Sequence, residues 1–146
     1  MKQPAQTQKP SSNSSPARLL VVDDDSAIRQ IYDEVLTKAG YTVVTAGSCA
    51  EATSRLDAVR GDFQVLVIDL GLPDGDGGDI ARAAAEKYGA RPTLYVSGWT
   101  DEFWQLGDVP GRWLILRKPV TIPKLLAAVH WLIHGGEKPA ELDAPD

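Results

Sequence analysis

The stretch QVLVIDLGLPDGDG, residues 64–77, decides the fold. Val65 to Ile68 are apolar without a break, the pattern of a strand covered on both faces, and the run stops at a carboxylate, Asp69, before a turn rich in Gly, Pro and Asp. Four similar runs surround it: LLVV (19–22), TVVTA (42–46), TLYVS (93–97) and WLIL (113–116). Between the first two, Ile28, Ile31, Val35 and Leu36 recur at helical spacing after Ser26, and Gly40 closes the segment. Segments 48–60 and 79–88 read as helices, and 121–134 carries Ile122, Leu125, Leu126, Val129, Leu132 and Ile133 along one side. The fourth helical segment, TDEFWQLGDVPG (100–111), meets Gly107, Pro110 and Gly111, so about two turns can form before the chain breaks. Strands alternating with helices predict an α/β chain of (βα)5 type, a doubly wound parallel sheet of five strands with a short fourth helix.

The 146 residues fit one compact domain, and 43% hydrophobic with 24% charged residues is a globular composition. Residues 1–17, Pro, Ser and Gln with little to bury, read as a disordered tail; 135–146, opening on Gly135–Gly136, reads as a second flexible tail; 18–134 is the expected domain. A formal net charge of -5 works against nucleic acid and anionic membranes as partners, and leaves proteins, small phosphate donors and cations. Cys49 is the one cysteine, which excludes an internal disulfide and a cysteine-based zinc site. No apolar run reaches the ~20 residues that cross a bilayer, and the start lacks the apolar core of a secretory signal. A cytoplasmic protein is expected.

In an open α/β sheet, ligands bind beyond the carboxyl ends of the strands. Strand one runs into Asp23, Asp24 and Asp25, strand three ends at Asp69, strand four at Ser97, and strand five is followed by Arg117, Lys118 and Pro119. Carboxylates gathered on one rim repel at roughly 4 kcal/mol per pair at 4 Å with an effective dielectric near 20. A hard divalent cation with oxygen ligands relieves that repulsion, and Lys118 supplies a further positive charge. Each residue also has an ordinary explanation: Asp25 and Ser26 as helix caps, Asp23 and Asp24 as caps or metal ligands, Ser97 as a cap for the fourth helix, Lys118 as a solvated amine. Their joint arrival at one rim, from four strands, is not explained by capping.

VVDDDSAIR, VLVIDLGLPDGDG, YVSGW and LRKP together resemble the receiver domain of bacterial response regulators, over about residues 18–134. The resemblance implies the flavodoxin-like strand order 2-1-3-4-5 and a phosphoacceptor at Asp69, which attacks a phosphohistidine to give an aspartyl phosphate. It places magnesium, with manganese as an alternative, on Asp23, Asp24, Asp69 and the backbone carbonyl of Gly71. Ser97, Gly98 and Lys118 would contact or leave room for the phosphoryl oxygens, and the Lys118–Pro119 peptide is expected to be cis. The implied partners are a sensor histidine kinase or histidine phosphotransfer protein and a downstream protein target. With nothing after residue 134 to form an output domain, the resemblance is to the stand-alone, single-domain type.

Three departures bear on the output. The position three before Lys118, usually an aromatic switch, is Ile115, and Trp113, on the same strand face, is the substitute candidate. Trp99 and Gly71, each two residues past a site residue, stand where the family's side chains influence water at the phosphoryl group; with neither polar, slow autodephosphorylation is expected. Trp99, Phe103 and Trp104 crowd the fourth helical segment and either pack down or mark a partner face, so the surface of that segment, strand five and the last helix is the candidate for partner binding or homodimerisation.

Other signals fail their own tests. DGDGGD (74–79), read as an EF-hand loop from Asp74, is wrong at Gly78, Asp79 and Ala85. No phosphate-binding glycine loop ends in Gly-Lys-Ser/Thr. His130 and His134 lie four apart without a third ligand in view, and Cys49 reads as a small residue near a helix start. Beside a phosphorylated switch, which catalyses only its own phosphorylation and dephosphorylation, two readings stand. One is a non-phosphorylated docking module; the other is a haloacid-dehalogenase-like phosphatase, whose start Asp23–Ser26 imitates but whose cap insertion is missing.

Overall fold

The computed structural model describes residues 16–98 and 100–142. The expected disordered tail lies almost wholly outside them, and so does Trp99. Five strands, β1 (Arg18–Val22), β2 (Thr42–Ala46), β3 (Val65–Asp69), β4 (Thr93–Ser97) and β5 (Trp113–Arg117), form one parallel sheet in the spatial order β2-β1-β3-β4-β5. This is the predicted 2-1-3-4-5 arrangement, with β2 and β5 at the edges. The sheet sits between helices α1 (Ser26–Lys38), α2 (Cys49–Ala58), α3 (Gly77–Tyr88) and α4 (Ile122–His134).

Strand alternation divides the core into two layers. Leu19, Val21, Val67, Leu94 and Val96 face α1 and α4, where Leu36, Leu125 and Leu132 are fully buried. Leu20, Val22, Leu66, Ile68 and Tyr95 face α2 and α3, where they meet Leu56 and Ile80. Each fully buried aliphatic side chain contributes about 1.5–3 kcal/mol relative to exposure, so both layers are needed to offset the entropy of ordering the chain.

Local chemistry sets the helix starts. Asp25 caps α1 by accepting from Ala27 N (2.9 Å) and Ile28 N, so Ser26 is the first helical residue and Asp25 is the cap. Ser48 caps α2, with Cys49 as its first residue, and Thr121 caps α4. Asp76 caps α3, which begins at Gly77, two residues before the expected start at 79. The fourth helical segment is a 3₁₀ helix, Thr100–Leu106, ended by the Gly107 turn. Its tight turns suit a short piece but not a long one.

Two boundaries differ from the expectation. Ala17, assigned to the N-terminal tail, accepts from Thr42 N at 2.9 Å and so extends the sheet by one bond. In the expected flexible C-terminal tail, Ala140–Leu142 forms a 3₁₀ turn and Leu142 is buried against the α4 layer. One leucine among polar residues has no periodicity to reveal it, yet burying it brings the chain back to the domain.

Candidate functional site: an acidic pocket at the strand ends

β1 and β3 are central strands, so the residues that follow them emerge side by side at the middle of the rim. Asp23 is 1% exposed and Asp69 4% exposed, whereas Asp24 is exposed. One ligand oxygen from each of Asp23, Asp24 and Asp69 can be chosen so that all three lie within 4.8 Å of one another. Asp23 is fixed from both ends: its N–H donates to Ala46 O (3.1 Å), its carbonyl accepts from Arg29 Nη1 (2.6 Å), and its Oδ1 accepts from Asp25 N (2.9 Å).

Lys118 reaches into this pocket from the end of β5, its Nζ 3.3 Å from Asp69 Oδ2 and 3.5 Å from Asp23 Oδ2. The other Asp69 oxygen, Oδ1, accepts from Gly71 N at 3.0 Å. Burial is the largest influence on Asp69 and, with Asp23 beside it, holds its carboxyl up at about 6 against the Gly71 and Lys118 contacts. Burial works against the Lys118 ammonium, but Asp69 and Asp23 outweigh it and hold its pKa above the usual lysine value. Burial, then Asp23 and Asp69, pushes the nearby Tyr32 phenol up to about 12. The pocket is therefore short of positive charge.

Ser97 ends β4 fully buried, one residue past the Val96 that pairs with Asp69, and its carbonyl accepts from Lys118 N (2.8 Å). Among the described residues, nothing lies within 4 Å of a Cβ added at Gly98, beside Ser97. The Lys118–Pro119 peptide is cis, as expected. The structure thus brings Asp23, Asp24, Asp69, Gly71, Ser97 and Lys118 to one rim. Gly71 meets Asp69 through its N–H.

The chain matches the response regulator receiver domain over residues 19–130. It belongs to the response regulator receiver family. The receiver domain is 31% identical over 134 residues to the transcriptional regulatory protein TrcR of Mycobacterium tuberculosis (strain ATCC 25618 / H37Rv), covering 89% of this chain and 51% of that protein. It is 28% identical to the sensor kinase CckA of Brucella abortus (strain 2308), covering 84% of this chain and 13% of that one. The chain spans about half, or much less, of these relatives' lengths. Among solved structures, a response regulator receiver protein from Sinorhizobium medicae WSM419 aligns with TM-score 0.73 at 30% identity, covering 84% of this chain and 98% of that one. Vibrio cholerae chemotaxis protein CheY4 aligns with TM-score 0.72 at 28% identity, covering 81% and 99% respectively. Receiver domains are signalling modules in two-component systems, which accept phosphoryl groups from histidine kinases and bind magnesium at an acidic pocket.

The remaining described candidates lie on β5, the 3₁₀ segment and α4. Ile115 is half-buried and pairs in register with Tyr95, which is fully buried; Trp113, 39% exposed, meets the Tyr95 ring edge-on at 6.0 Å. The aromatic beside Ile115 is thus Tyr95 on the neighbouring strand, which sequence reading treated only as a strand residue. Phe103 and Trp104 are both exposed, Trp104 at 71%, so neither packs into the core. His130 and His134 lie on the exposed side of α4 with ring centroids 4.3 Å apart and planes tilted by 43°. Sequence reading missed Arg29, which anchors Asp23, and Gln105, a buried polar residue beside the loop that leaves β3. A hydrophobic-pattern search passes over both. Among the described residues, no helix is long and apolar enough to cross a membrane.

Proposed function

We propose that this receiver domain takes a phosphoryl group on Asp69 from the phosphohistidine of a sensor kinase or phosphotransfer protein, and signals through the resulting shift of its rim loops to a downstream protein. The observation that carries the reading is the buried Asp69 carboxylate, held at Oδ1 by Gly71 N–H and at Oδ2 by Lys118. In the transfer an Asp69 oxygen forms the new O–P bond as the P–N bond to the donor imidazole breaks, and the imidazole leaves with a proton. Two fixed carboxylate contacts remove the orientational freedom that a side chain in water would have to lose. Lys118 stands where negative charge accumulates in the transition state, and Ser97, at the adjacent strand end, is placed to meet a phosphoryl oxygen.

The donor set fits magnesium: three carboxylates converge, and Asp23 Oδ2, among the described residues, is buried with the Lys118 ammonium at 3.5 Å and no hydrogen bond. Asp23, Asp24 and Asp69 would hold the ion, with the Gly71 carbonyl as a further ligand, and manganese offers the same oxygen chemistry. When bound, it supplies the positive charge that neutralises the pocket and the incoming phosphoryl group. Beside the site, Ile28, Ile31, Tyr32, Lys118, Pro119 and Val120 line a groove of about 460 Å³, an apolar seat for a donor protein next to the acceptor. The compartment that suits these partners is the cytoplasm.

Incubation of the full chain with magnesium and acetyl phosphate, read by intact mass, tests this. One added phosphoryl is expected, absent in Asp69→Asn; a chain that takes no phosphoryl would leave only the docking role.

A further inference from the structure

Gln105 is a polar residue, 7% exposed, in a 3₁₀ segment that also carries the exposed Phe103 and Trp104. Both ends of its side-chain amide are engaged, one by the loop that leaves the phosphoacceptor strand and one by the first residue of α3 that follows it. Nε2 donates to Leu70 O at 3.0 Å, and Oε1 accepts from Gly77 N at 2.8 Å. The first contact has a particular meaning, because Leu70 C=O and Gly71 N–H are the two ends of one planar peptide group. The N–H end donates to Asp69 Oδ1 at 3.0 Å. A single rigid plane therefore joins the phosphoacceptor carboxylate to the Gln105 side chain, and hydrogen bonds at its two ends polarise each other.

The other side of the segment is fastened as well. Arg82, on α3, donates from Nη2 to Gln105 O at 2.5 Å and from Nε to Asp108 Oδ1 at 2.7 Å, so the chain on either side of Gly107 is tied to α3. The approach is close enough that a Cβ on Gly78 would run into the Gln105 carbonyl oxygen. Trp104, next in sequence, lines with Leu70, Gly71, Leu72 and Pro73 a groove of about 520 Å³ on the outside of this junction.

The geometry points to Gln105 as a positioning residue for Asp69, acting through the Leu70–Gly71 peptide and carrying the arrival of charge at Asp69 out to the Trp104 surface. This deepens the reading of Asp69 as phosphoacceptor and rests on it. Esterifying Asp69 changes the acceptor that Gly71 N–H meets. Any tilt of the peptide in response moves Leu70 O, and Gln105 follows, because a buried amide left without its partner is unsatisfied. The route needs no aromatic at position 115, where this chain has Ile115.

The test uses the full chain with magnesium and acetyl phosphate, following adduct mass with time and amide hydrogen exchange over residues 70–78 and 103–108. Gln105→Glu keeps an acceptor for Gly77 N and puts an oxygen where the donor to Leu70 O stood; Gln105→Leu removes both contacts. In the wild-type chain, phosphorylation is expected to change exchange in both segments. Gln105→Glu is expected to slow adduct formation about tenfold, the loss of one buried hydrogen bond, and to uncouple the 103–108 response. Loss of the phosphorylation-dependent exchange change at 103–108, with unphosphorylated exchange over 70–78 like wild type, is the readout that a purely structural role for Gln105 would not give. A wild-type adduct with unchanged exchange at 103–108, or a Gln105→Glu variant matching wild type in rate and exchange, overturns the proposal alone. The wild-type exchange measurement decides the point even if both variants fail to fold. No adduct on the wild-type chain overturns the phosphoacceptor reading and this proposal together.

Discussion

At the scale of single residues, the pocket holds more negative charge than it can comfortably keep. Asp69, its carboxyl raised to about 6, binds a proton more tightly folded than unfolded, where a value near 3.8 applies. Its ionised form therefore costs stability above that upper value, and the cost fades as pH falls through the window between the two. Without divalent cation, Asp69→Asn should raise Tm at neutral pH, and the advantage should shrink toward pH 4; thermal melts across that range check it. Magnesium should raise the Tm of the wild-type chain and do so far less for the variant. Lys118→Met should have the opposite sign, losing on the order of 3 kcal/mol in cation-free denaturation, because it strands two buried carboxylates. Legibility from sequence was uneven at this scale. Asp23, Asp69 and Lys118 could be found because strand ends put them on one rim. Gln105 and Arg29 could not, because what marks them is a main-chain partner that no spacing rule points to.

Among the elements, the β3–α3 loop is the most heavily fastened. On one side Asp74 accepts from Cys49 N (2.9 Å) and Ala50 N (3.2 Å) at the α2 N-terminus; on the other, Gln105 bonds Leu70 O and Gly77 N, and Arg82 pairs with Asp76 Oδ2 at 3.8 Å. The DGDG sequence that imitates a calcium loop thus serves helix starts: Asp74 accepts from the first N–H groups of α2 beside its Ser48 cap, and Asp76 caps α3. Burial, and then Asp74, pushes the Cys49 thiol up to about 11, so alkylation by iodoacetamide at pH 8 should be much slower than for a free cysteine. Asp74→Ala should speed it, and labelling rates by mass spectrometry decide. At the other end of the chain, Leu142→Ala should cost about 2 kcal/mol or more in urea unfolding, whereas a truly loose tail would show no effect. The strands and the long helices were readable from apolar periodicity. The start of α3 and the 140–142 turn were not, since a cap by Asp76 and one anchoring leucine carry no period.

For the molecule as a whole, the two apolar layers share one sheet, so they should unfold together. Leu36→Ala and Leu56→Ala, one in each layer, should each destabilise the same single thermal transition by about 2–5 kcal/mol, and calorimetry should show no second step. Fold class and strand order were legible because five uninterrupted apolar runs leave few topologies open. Which surface speaks to a target was not, because exposure of Phe103 and Trp104 depends on how the fourth segment coils. The sheet order has one more outcome. Thr42–Ala46 is a border strand with no charged residue, and among the described residues no strand receives the main-chain groups on its outer side. Crowded samples should begin to clump by ribbon-to-ribbon joining at that border, and Thr45→Lys should delay the onset of turbidity.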